Sequence, residues 1–322
     1  MRAVIYQKYG SPNVLQMTEI EKPVTGDREV RIRVHATSVS PIDWHFRSGS
    51  PFLARIMAGG FFKPKINILG FDVAGEIESV GKAVKRWTGG EQVYGYVPPR
   101  FKGANAEYVC IPEENIILKP EHITYEEAAV VPNAAIVAWW FLKEGGLKSG
   151  QNILINGASG GLGIFAIQIA KSIGAGVTGV CSTANLDMVR SLGADEVIDY
   201  MTEDFTKIGR TYDLIFDAVG KSSYPNCKRC LNEKGVYIST ILTFQGIFYI
   251  IWTTVFGDKR AMAKVAQPNP QDLVFVNDLV NAGKMKPVID SIYSLEQIAE
   301  AHRYAENGHV KGKVVVKVGG TS

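Results

Sequence analysis

The chain reads as an α/β protein in two parts, a mostly β portion over roughly the first 120 residues and a doubly wound parallel sheet after it. Three observations carry that reading. Val30-Arg-Ile-Arg-Val-His35 alternates apolar and polar residues, as a half-buried strand does. Near Tyr125 the grammar changes, and short apolar strands begin to alternate with helical runs. Asn152-Ile-Leu-Ile-Asn-Gly-Ala-Ser-Gly-Gly-Leu-Gly163 then carries an apolar strand into glycines at 157, 160, 161 and 163.

Met1-Arg-Ala-Val-Ile-Tyr6 opens as a strand, with neither a long apolar h-region nor a cleavage site, which makes the cytoplasm the default location. Residues 30–35 and Asp72-Val-Ala-Gly-Glu-Ile-Glu-Ser-Val80 are strands of the β portion. A helix is expected over 126–142, strands at 152–156, 176–181, 196–199, 214–217 and 236–240, and helices at 160–173, 185–192 and 222–231. Repeated βα units imply a parallel, doubly wound sheet. Ser294-Leu-Glu-Gln297 is a capping box, Gly308 stops the helix it opens, and Lys313 to Val318 closes the chain as a strand.

The glycine stretch is the most informative segment, since a strand, a glycine-rich turn and a helix together cradle a dinucleotide pyrophosphate. Glycine permits the tight turn, lets the backbone approach the phosphates and lets the helix lie close to the strand. The first amides of that helix face the anion, and the helix dipole adds to them. Behind the turn, Ala166, Ile169, Ala170 and Ile173 fall on one helical face. The pattern is Ala158-x-Gly160-x-x-Gly163, with alanine in the first glycine slot.

At 322 residues the chain is long enough for two domains, and 46% hydrophobic with 21% charged residues is ordinary for a globular protein. A net charge of +3 from scattered lysines and arginines gives nucleic-acid binding little support. Four cysteines are too few for a disulfide scaffold. Cys227-Lys-Arg-Cys230 is a CxxC without two further ligands at matching spacing, and it falls in the expected crossover helix; a structural role is favoured over a metal or redox one. The segment from Ile241 to Phe256 is apolar and aromatic-rich, yet too short and interrupted to span a bilayer comfortably. It reads as a lid or a helix packed over a substrate cleft, with a subunit or membrane-surface contact as the alternative; Lys259, Arg260 and Lys264 follow it.

With these pieces placed, the chain resembles the medium-chain dehydrogenase/reductase superfamily, in its zinc-free quinone oxidoreductase branch, over essentially its whole length. The markers are Ser38-Val-Ser-Pro-Ile-Asp-Trp44, Gly70-Phe-Asp-Val-Ala-Gly-Glu76, Ala106-Glu-Tyr-Val109, Glu126-Glu-Ala-Ala-Val-Val-Pro132, the glycine turn, and Ser191-Leu-Gly-Ala-Asp-Glu-Val-Ile-Asp-Tyr200. The resemblance implies a GroES-like catalytic domain of residues 1–122 with 287–322, around a Rossmann dinucleotide-binding domain of residues 123–286. Zinc-dependent relatives place cysteine in the slot of Ser40 and Gly-His-Glu at Gly70-Phe71-Asp72, and their four-cysteine lobe has no counterpart in 94–106. No metal is therefore expected, and acceptors that take a hydride unaided, quinones or α,β-unsaturated carbonyls, are favoured.

About 20 residues past the turn, where NAD enzymes hold an acid on the ribose, the chain reads Gly179-Val-Cys-Ser-Thr-Ala-Asn185 without one. Ser182, Thr183 and Asn185 suit a 2′-phosphate, and the resemblance places Tyr200 near it. NADPH is expected over NADH, although many relatives carry Lys or Arg at or near Ala184. Arg190 is either a substitute or a solvated helix residue. The pyrophosphate falls to Ser159, Gly160, Gly161, Leu162 and Gly163, and the resemblance puts Val219, Gly220 and Ser239 by the nicotinamide. Ser40, Asp43, Trp44 and His45 are the implied catalytic-cleft residues, with Asp43 a proton relay or, by default, a loop anchor. His35, His122, His302 and His309 are expected to be surface or structural. The competing readings are an enal/enone reductase without quinone activity and an NADPH-binding partner protein with residual catalysis. A homodimer is a further expectation.

Overall fold

The structure is a computed structural model that describes residues 1–319. The chain divides into two compact units, one of residues 1–133, 273–277 and the chain from Pro287, the other of Ala134–Asp272 and Asp278–Lys286.

In chain order the first unit contains β1 (Arg2–Ile5), β2 (Gln16–Glu19), β3 (Glu29–Val39), α1 (Pro41–Ser48), α2 (Phe52–Met57), β4 (Asp72–Val80), β5 (Gln92–Tyr96), β6 (Tyr108–Pro112), β7 (Ile116–Leu118) and α3 (Tyr125–Ala128). The helix expected over 126–142 is instead two, α3 and α4 (Pro132–Glu144). Pro132 has no N–H to donate and disfavours helical geometry in the residue before it, so α3 stops and α4 restarts on the proline.

The second unit continues with β8 (Asn152–Asn156), α5 (Gly163–Ile173), β9 (Gly176–Cys181), α6 (Leu186–Ser191), β10 (Glu196–Asp199), β11 (Tyr212–Asp217), α7 (Tyr224–Cys227), β12 (Leu231–Ser239), α8 (Phe244–Phe256) and β13 (Arg260–Ala263). After α9 (Pro270–Asn281), β14 (Ile289–Ser294), α10 (Ile298–Glu306) and β15 (Lys313–Lys317) return to the first unit.

The second unit's sheet has the order β10-β9-β8-β11-β12-β13, with every neighbouring pair parallel. Chain order reverses between β8 and β11, and the strand ends at such a switch point form a crevice for ligands. β13 is the sixth strand, beyond the five expected, and it follows α8. α5 is buried from Gly163 to Ala170 rather than along one face. Its one interior polar side chain, Gln168, is satisfied by the backbone of Lys286, donating to its carbonyl at 3.1 Å and accepting from its amide at 2.7 Å. The expected helix over 222–231 shrinks to the single turn of α7 and a following 3-10 turn, because β12 begins at Leu231.

The first unit's sheet has the order β14-β15-β3-β4-β5-β7, with β6 also paired to β3. β3 does most to organise it: its first half pairs with β6 and its last four residues with β15, while β4 runs along the other edge. Register shifts at Arg31/Ile32 and Val34/Ala36 bend it enough to serve all three. Val30, Ile32 and Val34 enter the core that the alternation predicted.

Under α1 and α10 lies a buried polar knot. Arg47, 2% exposed, donates to the carbonyl of Gly10 and to Nδ1 of His302, and pairs with Glu306. Desolvation, with the arginine charge beside it, pushes the imidazole of His302 down to about 3. Among the described residues, no helix is long and apolar enough to cross a membrane.

Candidate functional site

The glycine turn forms as the sequence predicts, and Gly157, Gly160 and Gly163 are each there for a different reason. Gly157 leaves β8 at φ +84, and a Cβ there would lie 2.4 Å from Val219 Cγ1. A Cβ on Gly163, the first residue of α5, would stand 2.2 Å from the carbonyl oxygen of Gly157, so only glycine lets helix and turn approach this closely. Gly160 is different: a Cβ would meet only the Gly157 oxygen at an ordinary 3.5 Å. Space is kept free there beyond what the fold requires. Gly161 and Leu162 complete the turn, and Leu162 is the N-cap of α5.

Alanine in the first glycine slot is accommodated from the neighbouring strand. Ala158 is fully buried, and a Cβ on Gly179 of β9 would lie 3.0 Å from its methyl. The amides of Gly157 and Ala158 both donate to Val180 O, at 3.1 and 2.9 Å, tying the turn to β9.

The loops after β8 and β9 bring Ser159, Ser182 and Asn185 together. Asn185 Nδ2 donates to Ser159 Oγ at 3.1 Å and to Ser182 Oγ at 3.2 Å, while its Oδ1 is buried without a partner. An unsatisfied buried carbonyl is costly, and a ribose hydroxyl is a donor of the right kind to satisfy it. Together with the space at Gly160, the set fits a dinucleotide. Thr183 points elsewhere, donating to Asp199 Oδ2 at 2.5 Å. Tyr200 is half-exposed, its amide held by Cys181 O at 3.1 Å. Arg190 pairs with exposed Asp187 at 3.1 Å, which leaves it as the solvated helix residue of the two expectations.

At the other end of the crevice Asp217, fully buried at the end of β11, ties β8, β12 and the loop after β11 together. Its carboxylate accepts from Asn156 Nδ2 at 2.9 Å, Ser222 N at 2.8 Å and the hydroxyl of Tyr237 at 3.1 Å. Gly220 turns at φ +64, where a Cβ would strike Ile241 Cδ1 at 2.3 Å, and Ser239 Oγ donates to Ile241 O. Val219 is partly exposed beside them. Gly220, Tyr224, Tyr237, Ser239 and Ile241 line a cavity of about 60 Å³ against the inner side of α8. The tie through Asn156, Asp217, Ser222 and Tyr237 went unread in the sequence, where the one signal was polar residues ending two otherwise apolar strands.

In the first unit, Ser40 caps α1 and spends both its amide and its hydroxyl on Asp43 Oδ2, at 2.9 and 2.7 Å. Asp43 Oδ1 accepts from Gly70 N at 2.8 Å. The carboxylate is thus an anchor between the α1 N-terminus and the Gly70 turn. Burial raises its pKa to about 6, against the lowering effect of those hydrogen bonds. Trp44 packs against the core, and exposed His45 shares its Nδ1 with Ser50 O at 2.7 Å. Phe71 is 1% exposed and set edge-on to Phe46 at 5.2 Å. Asp72 accepts from Ser38 Oγ, the amide of Asn133 and Lys313 Nζ, the last a buried ion pair of 3.2 Å.

Cys227 and Cys230 are buried within the second unit's core. Burial raises both thiols, Cys227 to about 12, and Cys227 Sγ sits 3.0 Å from Ser222 Oγ. No group of three metal-ligating side chains occurs among the described residues. Thiols held protonated are poor nucleophiles. At pH 7.5, both are expected to react with an aromatic disulfide reagent only as fast as the unit opens. Equally fast labelling of native and urea-unfolded protein would contradict that.

A bent β unit joined to a six-stranded parallel sheet with a glycine turn at its switch point defines the class of two-domain dinucleotide-type oxidoreductases. Residues 26–121 match the alcohol dehydrogenase GroES-like domain and residues 192–316 the zinc-binding dehydrogenase model. The chain is 35% identical to the mouse NAD(P)H oxidoreductase RTN4IP1, mitochondrial, covering 99% of this chain and 89% of that protein. It is 32% identical to the tomato 2-methylene-furan-3-one reductase, over 98% of this chain and 79% of the other. The solved structure of the quinone oxidoreductase from Coxiella burnetii superposes with a TM-score of 0.88 at 32% identity, over 99% of each chain. The chain belongs to the medium-chain dehydrogenase/reductase superfamily, in its quinone oxidoreductase branch.

Proposed function

We propose that the protein is an NADPH-dependent, zinc-independent oxidoreductase that reduces a quinone or an α,β-unsaturated carbonyl, with the second unit binding the dinucleotide and the first the acceptor. The observation that carries this is the space kept at Gly160 beside the buried, unpartnered carbonyl of Asn185. Ser159, Gly160, Gly161 and Leu162 would hold the pyrophosphate, and Asn185 with Ser182 the adenosine ribose. Val219, Gly220 and Ser239 would flank the nicotinamide, which supplies the hydride when bound. The tie at Asp217 keeps those loops in register, and fixed geometry of that kind is what hydride transfer needs.

The donor set does not suit a catalytic zinc. Ser40 commits its hydroxyl to Asp43, and Phe71 lies in the apolar core where an imidazole would be required. An acceptor whose own conjugation spreads the incoming charge needs no Lewis acid. Ser40, Trp44 and His45 are proposed to line the acceptor, with Asp43 positioning α1 and the final proton coming from water. Stoichiometric zinc in protein purified from metal-free buffer, with activity lost on chelation, would overturn the zinc-independent reading.

The functional test is NADPH oxidation measured side by side with a naphthoquinone, a 2-alkenal and a cyclic enone. Turnover of the quinone supports the main reading. Turnover of the enal or enone alone supports the second reading, favoured by the identity to the tomato enzyme. NADPH binding without turnover of any acceptor defeats both and leaves a nucleotide-binding partner protein. Fractionation of cells expressing the full chain checks the proposed cytoplasmic location, and sedimentation checks the proposed homodimer.

The expected preference for NADPH is modest, because the neighbourhood of Ser182 and Thr183 holds the carboxylate of Asp199 and no arginine committed to a phosphate. Ala184→Arg is expected to tighten NADPH roughly tenfold and leave NADH within about twofold, as one charge-assisted contact would. Parallel fluorescence titrations check it; equal effects on the two cofactors would place the 2′-phosphate elsewhere.

A further inference from the structure

α8 is a helix with two unlike sides, neither of them charged. Its inner stripe of Gly246, Tyr249, Ile250 and Thr253 faces the sheet; Tyr249 and Ile250 pack on the core, and Thr253 Oγ1 accepts from Ala261 N at 3.0 Å. Its outer side carries Phe244, Phe248, Ile251, Trp252, Val255 and Phe256, from 51% to 95% exposed. Lys234 and Asp258 bound a run of 23 residues with no ionisable acid or base apart from tyrosine, and the whole helix lies inside it. Thirteen residues make a rod of roughly 20 Å, too short to span a bilayer and long enough to lie in its interface.

Charge gathers where the helix ends. Lys259 Nζ donates to the carbonyls of Lys228 and Leu231, which draws the turn bearing Lys228 and Arg229 against the C-terminal end of α8. Arg260 follows at the start of β13. Four basic residues, Lys228, Arg229, Lys259 and Arg260, stand there against Asp258 and, across the hydroxyl of Thr206 from Arg229, Asp204. Lys264 is spent on Glu144 and takes no part.

We propose that the outer face of α8 docks on an anionic lipid membrane surface, with its aromatic side chains in the acyl boundary and the cluster of Lys228, Arg229, Lys259 and Arg260 among the headgroups. A second copy of the chain would bring the same basic cluster, and gains nothing from it. An anionic lipid surface gains about fivefold in affinity per basic residue brought near it. The aromatic stripe and basic end are the pattern of an interfacial helix. Docking is a property of the folded chain and stands apart from the reaction proposed above.

The experiment is flotation of the full-length protein with phosphatidylcholine vesicles, with and without 30% phosphatidylserine. The expected result is binding to the anionic vesicles, at least tenfold weaker on the neutral ones and in 0.5 M salt. Phe248→Glu/Ile251→Glu should lose it by at least tenfold while far-ultraviolet circular dichroism and NADPH binding stay unchanged. Lys228→Ser/Arg229→Ser should weaken it about 25-fold and should not respond to salt as steeply. No binding to either vesicle, or equal binding by Phe248→Glu/Ile251→Glu, overturns the proposal. A wild-type dimer that this variant turns monomeric, without vesicle binding, overturns it in favour of a second copy.

Discussion

Gly160→Val is expected to weaken NADPH binding roughly 100-fold or more while leaving the melting temperature within about 2 °C. The two effects separate because a Cβ at Gly160 meets nothing in the protein closer than 3.5 Å, so added bulk falls where a pyrophosphate would approach. Gly163→Val should do the reverse in order of severity. Its Cβ would collide with backbone oxygen at 2.2 Å, and neither the turn nor the buried α5 can yield. A loss of at least about 3 kcal/mol is expected, with cofactor affinity falling as a consequence of the displaced turn. Fluorescence titration beside thermal melts tests both. Unaltered NADPH affinity in Gly160→Val would remove the ground for the dinucleotide site.

The second large effect concerns the knot under α1. Arg47→Met is expected to cost about 3 kcal/mol, since it strands Glu306 and the buried His302 without their shared donor. The knot also sets an acid response. His302 has its folded pKa depressed to about 3 from 6.5, so below pH 6.5 the unfolded chain takes up a proton that the native one refuses. Its contribution is complete above pH 6.5 and is lost as pH falls toward 3, at about 1.4 kcal/mol per pH unit. Asp43 works in the opposite sense. Its folded pKa, raised to about 6 from 3.8, makes the native state the first to take a proton between those values. The two slopes offset one another between pH 6 and 4, and the loss attributable to His302 emerges below that. In His302→Gln the Asp43 slope is opposed only by the depressed imidazole of His35 and by carboxylates held low in ion pairs such as Glu78, so urea midpoints should fall less steeply from pH 6 to 4 than in the parent. Parallel profiles for the variant and the parent would show that His302 does not titrate as described.

The elements whose cause is local were legible in the sequence. Strand alternation at Val30–His35, the glycine turn and the Ser294–Gln297 capping box each state their own geometry within a few residues. Where the structure departs, the reason lies at a distance. α5 is buried all round because the chain near Lys286 returns to it, more than a hundred residues on. The tie at Asp217 depends on parallel register between β8, β11 and β12, which no window of sequence contains. Alanine in the first glycine slot becomes intelligible only beside Gly179, a residue of the next strand. Pro132 is the exception, a local cause for the break between α3 and α4 within 126–142.

The pairing of β15 with β3 has a consequence for how the protein is made. Ala36–Val39 of β3 leave the ribosome long before the strand that closes their edge, Lys313–Lys317. The whole parallel sheet is translated in the interval. The nascent first unit must therefore wait with an open strand edge, the kind of surface on which neighbouring chains aggregate. A pause in elongation before Lys313 would prolong that exposure, and chaperone demand should peak just before β15 emerges.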